Sequence, residues 1–522
     1  MTDLDTPAGD ALVTRRRAGG RAAHERSRLP QQRPWAQPRL PYEPTAVISA
    51  DELESIHLAS LRVLAETGMD FLDPQARSVL EAAGAQVEPG GQRVRFDPAM
   101  VEGLITSAPA EFTLHARNPA HDLRIGGRWT SFGTVGSPPN VADLDRGRRI
   151  GNRADYQDLL RLAQSLNSIH FLAGYPVEPV DVHASVRHLH ATHDALTLMD
   201  KAIHCYSLGR QRNLDVLEMM RIARGVDAAT LDHEPSVFTV VNTSSPLRLD
   251  TPMSQGVIAF AEHGQVVCVT PFTLSGAMAP VTLAGALVEQ NAEALATIVL
   301  TQVIHPGAPV IYGGFTSNVD MQSGAPAFGT PEYMRTAMIG GQLARRYRIP
   351  YRSSNVCAAN AVDAQAAYES VFSLWGAIMG GVNLLMHGAG WMEGGLHAGY
   401  EKMILDAELL GMVEAFLEPV VVDDETLALD AIEEVGPGGH FFGAMHTQSR
   451  FKTAFHKPML SDWRNYETWQ EAGSPELPAK ANRIWKELLA AYEPPAMDQA
   501  IRDELDAFVA RRVAEGGVPT DY

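Results

Sequence analysis

The sequence predicts an α/β chain built on a (β/α)8 TIM barrel, with a mixed α/β N-terminal subdomain before it and extra C-terminal helices after it. Three observations predict this. From about residue 155, short apolar β-type segments alternate with longer amphipathic segments, the rhythm of parallel strands joined by helical crossovers. Eight such units fit into roughly 290 residues, about the size of one closed barrel. An open doubly wound sheet is the alternative, but the Gly-rich phosphate turns that usually open one, GxGxxG or GxxxxGK[ST], do not occur here.

Taken in order, residues 1–45 read as a disordered Arg/Pro-rich tail. Residues 11–40 hold eight Arg and one Glu, with Pro30, Pro34 and Pro38, and cannot bury enough apolar surface to order themselves. Residues 46–154 form the N-terminal subdomain. A helix starts at Ser49-Ala50-Asp51-Glu52 and stops at Gly68, and a second lies near 74–83. Short β-like pieces follow at 94–96, 112–114 and 123–125, then a Gly/Pro-rich turn from Gly133 to Pro139.

The barrel is assigned to 155–475. Its strands are expected near 169–175, 202–208, 236–242, 265–271, 309–315, 350–355, 382–387 and 439–445. Helices are expected near 181–199, 212–224, 251–263, 282–304, 330–347, 363–379 and 401–416. Residues 476–522 supply two closing helices, near 477–492 and 497–513.

Composition limits the function. The formal charge of −19 opposes phosphate backbones, so nucleic acid is not an expected partner. Three scattered cysteines, Cys205, Cys268 and Cys357, make no disulfide framework and fit a reducing cytoplasm. Residues 266–288 and 371–392 carry no charged side chain. The first is broken by Pro271 and Pro280 and the second by Gly380-Gly381, Asn383 and His387, so each reads as strand, turn and helix and no membrane partner is expected. Arg15–Arg17 are followed by no apolar run of signal-peptide length.

Barrel enzymes place their chemistry on loops after the strands. Those positions hold Tyr175, Tyr206, Phe272, Phe315, Asp320, Asn355, Asn360, His387, Gly388, Trp391 and Glu393. Aromatic and neutral polar groups predominate, and acid/base groups are few. Ring faces bind quaternary ammonium ions. Each ring also has a plainer reading as a cap on the barrel core. The spacing of His387, Glu393 and His397 matches no usual zinc pattern, and no bound metal is expected. A Cys357–His387 nucleophile pair lacks a clear third group to orient the histidine.

Several long segments are specific. GGFTSNVDMQSGAPAFGTPEYMRTAMIGGQLARRYRIPYRSS (313–354), AVDAQAAYESVFSLWGAIMGGVNLLMHGAGWMEGGL (361–396) and EKMILDAEL (401–409) resemble the trimethylamine methyltransferase superfamily. So do LESIHLASLRVLAETGMDFLDPQARSVLEAAGA (53–85) and LHARNP (114–119). The resemblance implies a (β/α)8 barrel that moves a methyl group to the cobalt(I) of a corrinoid carried by a partner protein. Founding members carry pyrrolysine, at a position that falls near Asn360, where this sequence has an ordinary residue. The resemblance therefore implies a non-pyrrolysine member acting on glycine betaine or a related quaternary amine; the alternatives are a methyltransferase for another methylated amine such as trimethylamine, or a non-catalytic protein that binds quaternary amines. Under it, His387, Glu393 and Asn355 are the expected catalytic residues. Tyr175, Tyr206, Phe272, Phe315, Trp391, Gly388, Asp320 and Asn360 are expected to bind substrate. The carboxylate of a betaine is expected on His387, Asn355 or the N–H groups of Gly388–Gly390. By analogy with such barrels, a homo-oligomer is expected.

Overall fold

The structure, a computed structural model, describes residues 29–520. Its centre is an α/β half-barrel of seven parallel strands: β1 (Ser131–Thr134), β2 (Ile203–Tyr206), β3 (Val237–Val241), β4 (Val266–Val269), β5 (Val310–Gly313), β6 (Tyr351–Ser354) and β7 (Leu384–Ala389). Their order is β1-β7-β6-β5-β4-β3-β2. The side between β1 and β2 is spanned by Phe171, which pairs in parallel with Gly133 and with Ala202. Alternation along β4 sends Val266 and Cys268 into the interior and Val267 and Val269 toward the helices.

Helices cover the outside: α1 (Ala50–Arg62), α2 (Arg153–Ser165), α3 (Ala184–Leu198), α4 (Arg210–Arg224), α5 (Thr251–Glu262), α6 (Leu283–Ile304), α7 (Pro331–Tyr347), α8 (Ala364–Met379), α9 (Tyr400–Phe416), α10 (Leu477–Ala490) and α11 (Gln499–Ala514). Many begin at side-chain caps that the sequence announces. Asn152, Asp250, Thr282, Thr330 and Asp363 each accept from an N–H of the following first turn. α1 carries a full Ser49/Glu52 capping box. A π-turn, Val63–Thr67, carries it on to Gly68, whose φ is 76° and where a Cβ would stand 2.5 Å from the Val94 carbonyl oxygen. α6 is the only helix among the described residues long and apolar enough to cross a membrane, and it is largely buried between the sheet and the lead-in helices.

Three expectations fail. The segment 439–445 forms no strand, only a 3-10 turn at Phe441–Gly443. The strand that replaces it is β1, which runs into the start of the segment expected to turn. Its glycines serve packing and not reversal. A Cβ on Gly133 would stand 2.3 Å from the Phe171 ring, and one on Gly136 2.7 Å from the Ala173 carbonyl oxygen. The expected strand 169–175 shrinks to the Phe171 bridge.

The disordered tail is also corrected where it is described; its first 28 residues lie outside the described residues. Trp35 packs on His121 and His170 with centroids 4.9 and 5.6 Å away, and Leu40 is buried. The Gln32 amide donates to the Ser165 carbonyl and its oxygen accepts from the Asn167 N–H. Trp35 and the hairpin of Glu111–Leu114 with Leu123–Gly126 join the interior cluster of Ala202, Val266 and Leu384 at the strands' N-terminal ends. One end of the half-barrel is thereby plugged. The C-terminal end is left for a site.

Candidate active site

A cavity of about 290 Å³ opens at the C-terminal ends of the strands. Strand alternation and loop position divide its lining into a floor and a rim. Arg352 and His204 project inward from within β6 and β2. Phe272, Phe315 and Trp391 come from loops after β4, β5 and β7. Tyr206, Val240, Asn242, Met253 and Met386 complete the walls, with Ser137 after β1.

β7 is distorted to make this shape. Its pairing with β1 slips between Leu385 and Ala389, and His387 within the slip has φ 55°. A non-glycine residue in the left-handed region inside a strand stores strain, and here the bulge brings both Met386 and His387 to the cavity. The His387 and Trp391 rings then lie 4.1 Å apart, with Phe315 6.1 and 6.2 Å from them.

The electrostatics of the floor are unusual. Arg352 is buried, and no carboxylate among the described residues is in contact with its guanidinium. Its nearest polar contacts are long: the Gly314 carbonyl at 3.4 Å and His387 Nε2 at 3.4 Å. Its Nε has no partner among the described residues, and its Cζ lies 5.3 Å over the Phe315 ring. Burial lowers its affinity for a proton, but an arginine stays charged. Burial and then the Arg352 charge push His387 well below its ordinary value, and they hold His204 at about 3. Both rings are therefore neutral. His204 Nε2 accepts from the Val240 N–H, which leaves the proton on Nδ1. His387 Nε2 faces a pure donor, so its proton also sits on Nδ1. Neither Nδ1–H has a partner among the described residues, and neither has Trp391 Nε1. The cavity's residues thus offer unsatisfied donors and a positive charge, with no carboxylate to match.

The remaining sequence-predicted residues lie apart from the cavity lining. Tyr175 stands behind Tyr206, edge-on at 4.6 Å, and its N–H donates to the Tyr206 hydroxyl. Asn355 donates its amide to the Gly388 carbonyl, so that donor is used in the wall. Gly388 lies where β7 crosses β1, and a Cβ there would stand 2.6 Å from the Gly133 carbonyl oxygen. The Gly390 N–H is taken by Asp406. Glu393 is bound by Arg148 at 2.7 Å and His397 at 2.9 Å. Burial works to raise its pKa, but those two partners outweigh it and hold the carboxylate below its ordinary range. Asp320 closes an exposed turn by accepting from Ser323, and Asn360 is exposed. The three cysteines are buried and free, and burial pushes the Cys268 and Cys357 thiols up to about 11 and about 12. Neither is poised as a thiolate. Among the described residues no cluster of His, Cys, Asp or Glu could hold a metal ion.

Loop positioning explains some near misses. After β3, Thr243 and Ser245 turn away from the cavity and donate to Glu293 of α6, which also accepts from the Leu247 N–H. Thr316, after β5, donates to Gln290 of α6 at 2.5 Å and fixes the loop that carries Phe315. Sequence reasoning missed Arg352 and His204. The available signal was a charged residue in the middle of an otherwise buried parallel strand, which demands a partner.

The family model for trimethylamine methyltransferase (MTTB) matches residues 14–517. A glycine betaine methyltransferase of Desulfitobacterium hafniense (strain Y51) is 37% identical over 472 residues, covering 90% of this chain and 98% of that protein. A trimethylamine methyltransferase of the same species, from another strain, is 30% identical over 476 residues, covering 91% and 95%. Among solved structures, the Methanosarcina barkeri monomethylamine methyltransferase aligns with a TM-score of 0.48 at 11% identity over 88% of each chain, too distant a likeness to carry weight. The match across nearly the whole sequence settles the assignment: the chain belongs to the trimethylamine methyltransferase family and is a methyltransferase.

Proposed function

We propose that the protein transfers a methyl group from the quaternary nitrogen of glycine betaine, or a closely related betaine, to the cobalt(I) of a corrinoid carried by a partner protein. We read the half-barrel and its Phe171 bridge as a (β/α)8 barrel with one strand reduced to a single pairing, and we place the reaction in the cytoplasm. Arg352 carries this reading. A buried guanidinium without a counter-ion calls for an anion from outside, and a carboxylate matches its donor fork. Trimethylamine has no anionic group to offer. The unpaired Nδ1–H groups of His204 and His387 add to the donor character of the same floor.

The rest of the cavity suits the other end of such a molecule. With its carboxylate on the floor, a betaine raises its trimethylammonium group among Tyr206, Phe272 and Trp391 at the rim. The role expected of Phe315 changes, because one face of its ring already holds the Arg352 guanidinium. An N-methyl then points to the open C-terminal end, where a partner has access. The C–N bond breaks with its electron pair left on nitrogen and the methyl group passing to cobalt, so the amine group leaves neutral while the product keeps its carboxylate charge. That leaving group needs no proton donor. The cavity accords with this, since both its histidines are neutral and it has no carboxylic acid. The protein's work is orientation and exclusion of water.

The test is methylation of reduced cob(I)alamin, followed by absorbance, with glycine betaine, proline betaine, carnitine, choline and trimethylamine as donors. Activity confined to carboxylate-bearing quaternary amines supports the reading. Activity with trimethylamine alone overturns it.

A further inference from the structure

Two of the cavity's rings are held from behind, by a helix that lines no part of the cavity. Beyond β4 and β5 the chain continues extended, and the two loops run side by side. The Phe315 N–H donates to the Pro271 carbonyl, and Leu274 and Ser275 pair in parallel with Ser317 and Asn318. Neighbouring side chains of an extended chain point to opposite faces. Phe272 and Phe315 face the cavity, with centroids 5.1 Å apart, while Thr273 and Thr316 face α6. The two threonine hydroxyls meet each other. Thr316 donates to Gln290 Oε1 on α6 at 2.5 Å, so Thr273 supplies the hydrogen between the hydroxyls.

Gln290 is itself fixed from its other side. Its Nε2 faces the Tyr312 hydroxyl at 3.4 Å, and Tyr312 donates to Asn291 Oδ1 at 2.9 Å. Asn291 Nδ2 donates to the Tyr347 hydroxyl at 2.9 Å. That hydroxyl lies 2.9 Å from His57 Nδ1 on α1, and His57 Nε2 lies 3.2 Å from Glu102. From Thr273 to His57 every member of the chain is buried. A buried polar chain adds little net stability over apolar packing of the same shape, but each link orients the next.

We propose that Gln290 is a positioning residue: through Thr316 and Thr273 it sets the Phe272 and Phe315 rings, and through Phe315 the Arg352 guanidinium, where on the function proposed above they meet a betaine. Two contacts carry the effect to Arg352. Its Cζ lies 5.3 Å over the Phe315 ring. Its guanidinium is 3.4 Å from the Gly314 carbonyl, and the Gln290 amide lies flush on Gly314, where a Cβ would stand 2.7 Å from both Nε2 and Oε1. With Nε unpartnered, few other contacts among the described residues hold the guanidinium at its angle. Gln290 touches no substrate, so its loss should show in binding and not in the methyl transfer step.

The test uses three substitutions. Thr316→Val keeps the shape and removes the hydroxyl, Gln290→Met does the same from the helix side, and Thr316→Ser keeps the hydroxyl. Methyl transfer from glycine betaine to free cob(I)alamin is expected to show KM raised ~10-fold in each of the first two, kcat within about 3-fold of wild type, and KM restored to within about 2-fold in Thr316→Ser. The double variant Thr316→Val/Gln290→Met should be no worse than either single one, because both break one link. A purely structural role lowers the folded fraction, and with it kcat, without moving KM. An unchanged KM in folded Thr316→Val, a Thr316→Ser protein equally impaired, or effects that multiply in the double variant overturn the proposal. If Thr316→Val does not fold, Gln290→Met against Thr316→Ser decides. A wild type that uses trimethylamine and not glycine betaine overturns the proposed function alone, and the same variants measured with trimethylamine then decide the role of Gln290. Independently of any donor, a crystal structure of Thr316→Val or Gln290→Met with Phe272 and Phe315 unmoved overturns it.

Discussion

Two buried cations stand in the same half-barrel, and they are treated differently. Lys402 on α9 has zero exposure and a carboxylate partner. Its Nζ donates to Asp406 at 2.5 Å and to Ser370 at 2.8 Å, and Asp406 in turn accepts from the Gly390 N–H. Arg352 on β6 is just as buried, yet it has only two contacts at 3.4 Å and an orphaned Nε. Desolvating a charge costs several kcal/mol, and a pairing partner must offset it. For Lys402 that partner is inside the protein, so the pair belongs to the architecture. For Arg352 the offset is missing from the described residues, and in the proposed function a ligand supplies it.

This contrast makes opposite predictions for like substitutions. Lys402→Met strands the buried Asp406 carboxylate and is expected to cost roughly 3–5 kcal/mol of stability, read by denaturant unfolding. Arg352→Met removes a charge that has no partner, and its melting temperature should be unchanged or higher. Its loss falls on activity instead. A carboxylate paired with a buried arginine is worth about 2–5 kcal/mol, so kcat/KM for a betaine should drop by ~100-fold or more. Should Arg352→Met destabilise the fold as much as Lys402→Met, the contrast is broken.

The pH dependence sharpens it further. His204 and His170 are held at about 3 by burial, and His387 is also held well below its ordinary value. Their unfolded values lie near 6.5. Below that pH the unfolded chain binds protons that the folded chain refuses, so stability falls as pH drops from about 7 toward 3. Raising the pH costs nothing through these groups. Activity should be flat between about pH 6.5 and 9, because no cavity group changes charge there. A bell-shaped profile arising from the enzyme would contradict neutral histidines.

The smallest expected effect is at the rim. Trp391→Leu keeps apolar volume but loses the ring face, a change of about 0.5–2 kcal/mol. KM for a betaine should rise roughly 2- to 30-fold, measured beside an unchanged melting temperature.

Helix periodicity and capping residues were easy to read. Thr330 and Asp363 announce α7 and α8, and their expected bounds of 330–347 and 363–379 nearly coincide with Pro331–Tyr347 and Ala364–Met379. Strands were harder, because a short apolar run has no distinctive period of its own. The run at 439–445 carries apolar residues for the surface, whereas Gly133 in β1 answers to the Phe171 ring, a neighbour 38 residues away that local sequence does not show. The same holds at the site. The aromatics at the end of β2 and after β4, β5 and β7 were legible, because they stand at strand ends. Arg352 was not, because its meaning is the absence of a partner, and that appears only when every neighbour is in place. Asn355 and Gly390 had the right chemistry as donors, but the fold had already given their hydrogens to Gly388 and Asp406.

Whether Arg352 holds a substrate carboxylate is decided by measuring methyl transfer to free cob(I)alamin from glycine betaine and from choline, with wild-type protein and with Arg352→Met. The wild type is expected to prefer glycine betaine strongly. The substitution is expected to abolish that preference by lowering the betaine rate ~100-fold while the choline rate stays within a few-fold. Equal wild-type rates for the two donors, or an Arg352→Met enzyme that keeps its preference for betaine, would contradict it.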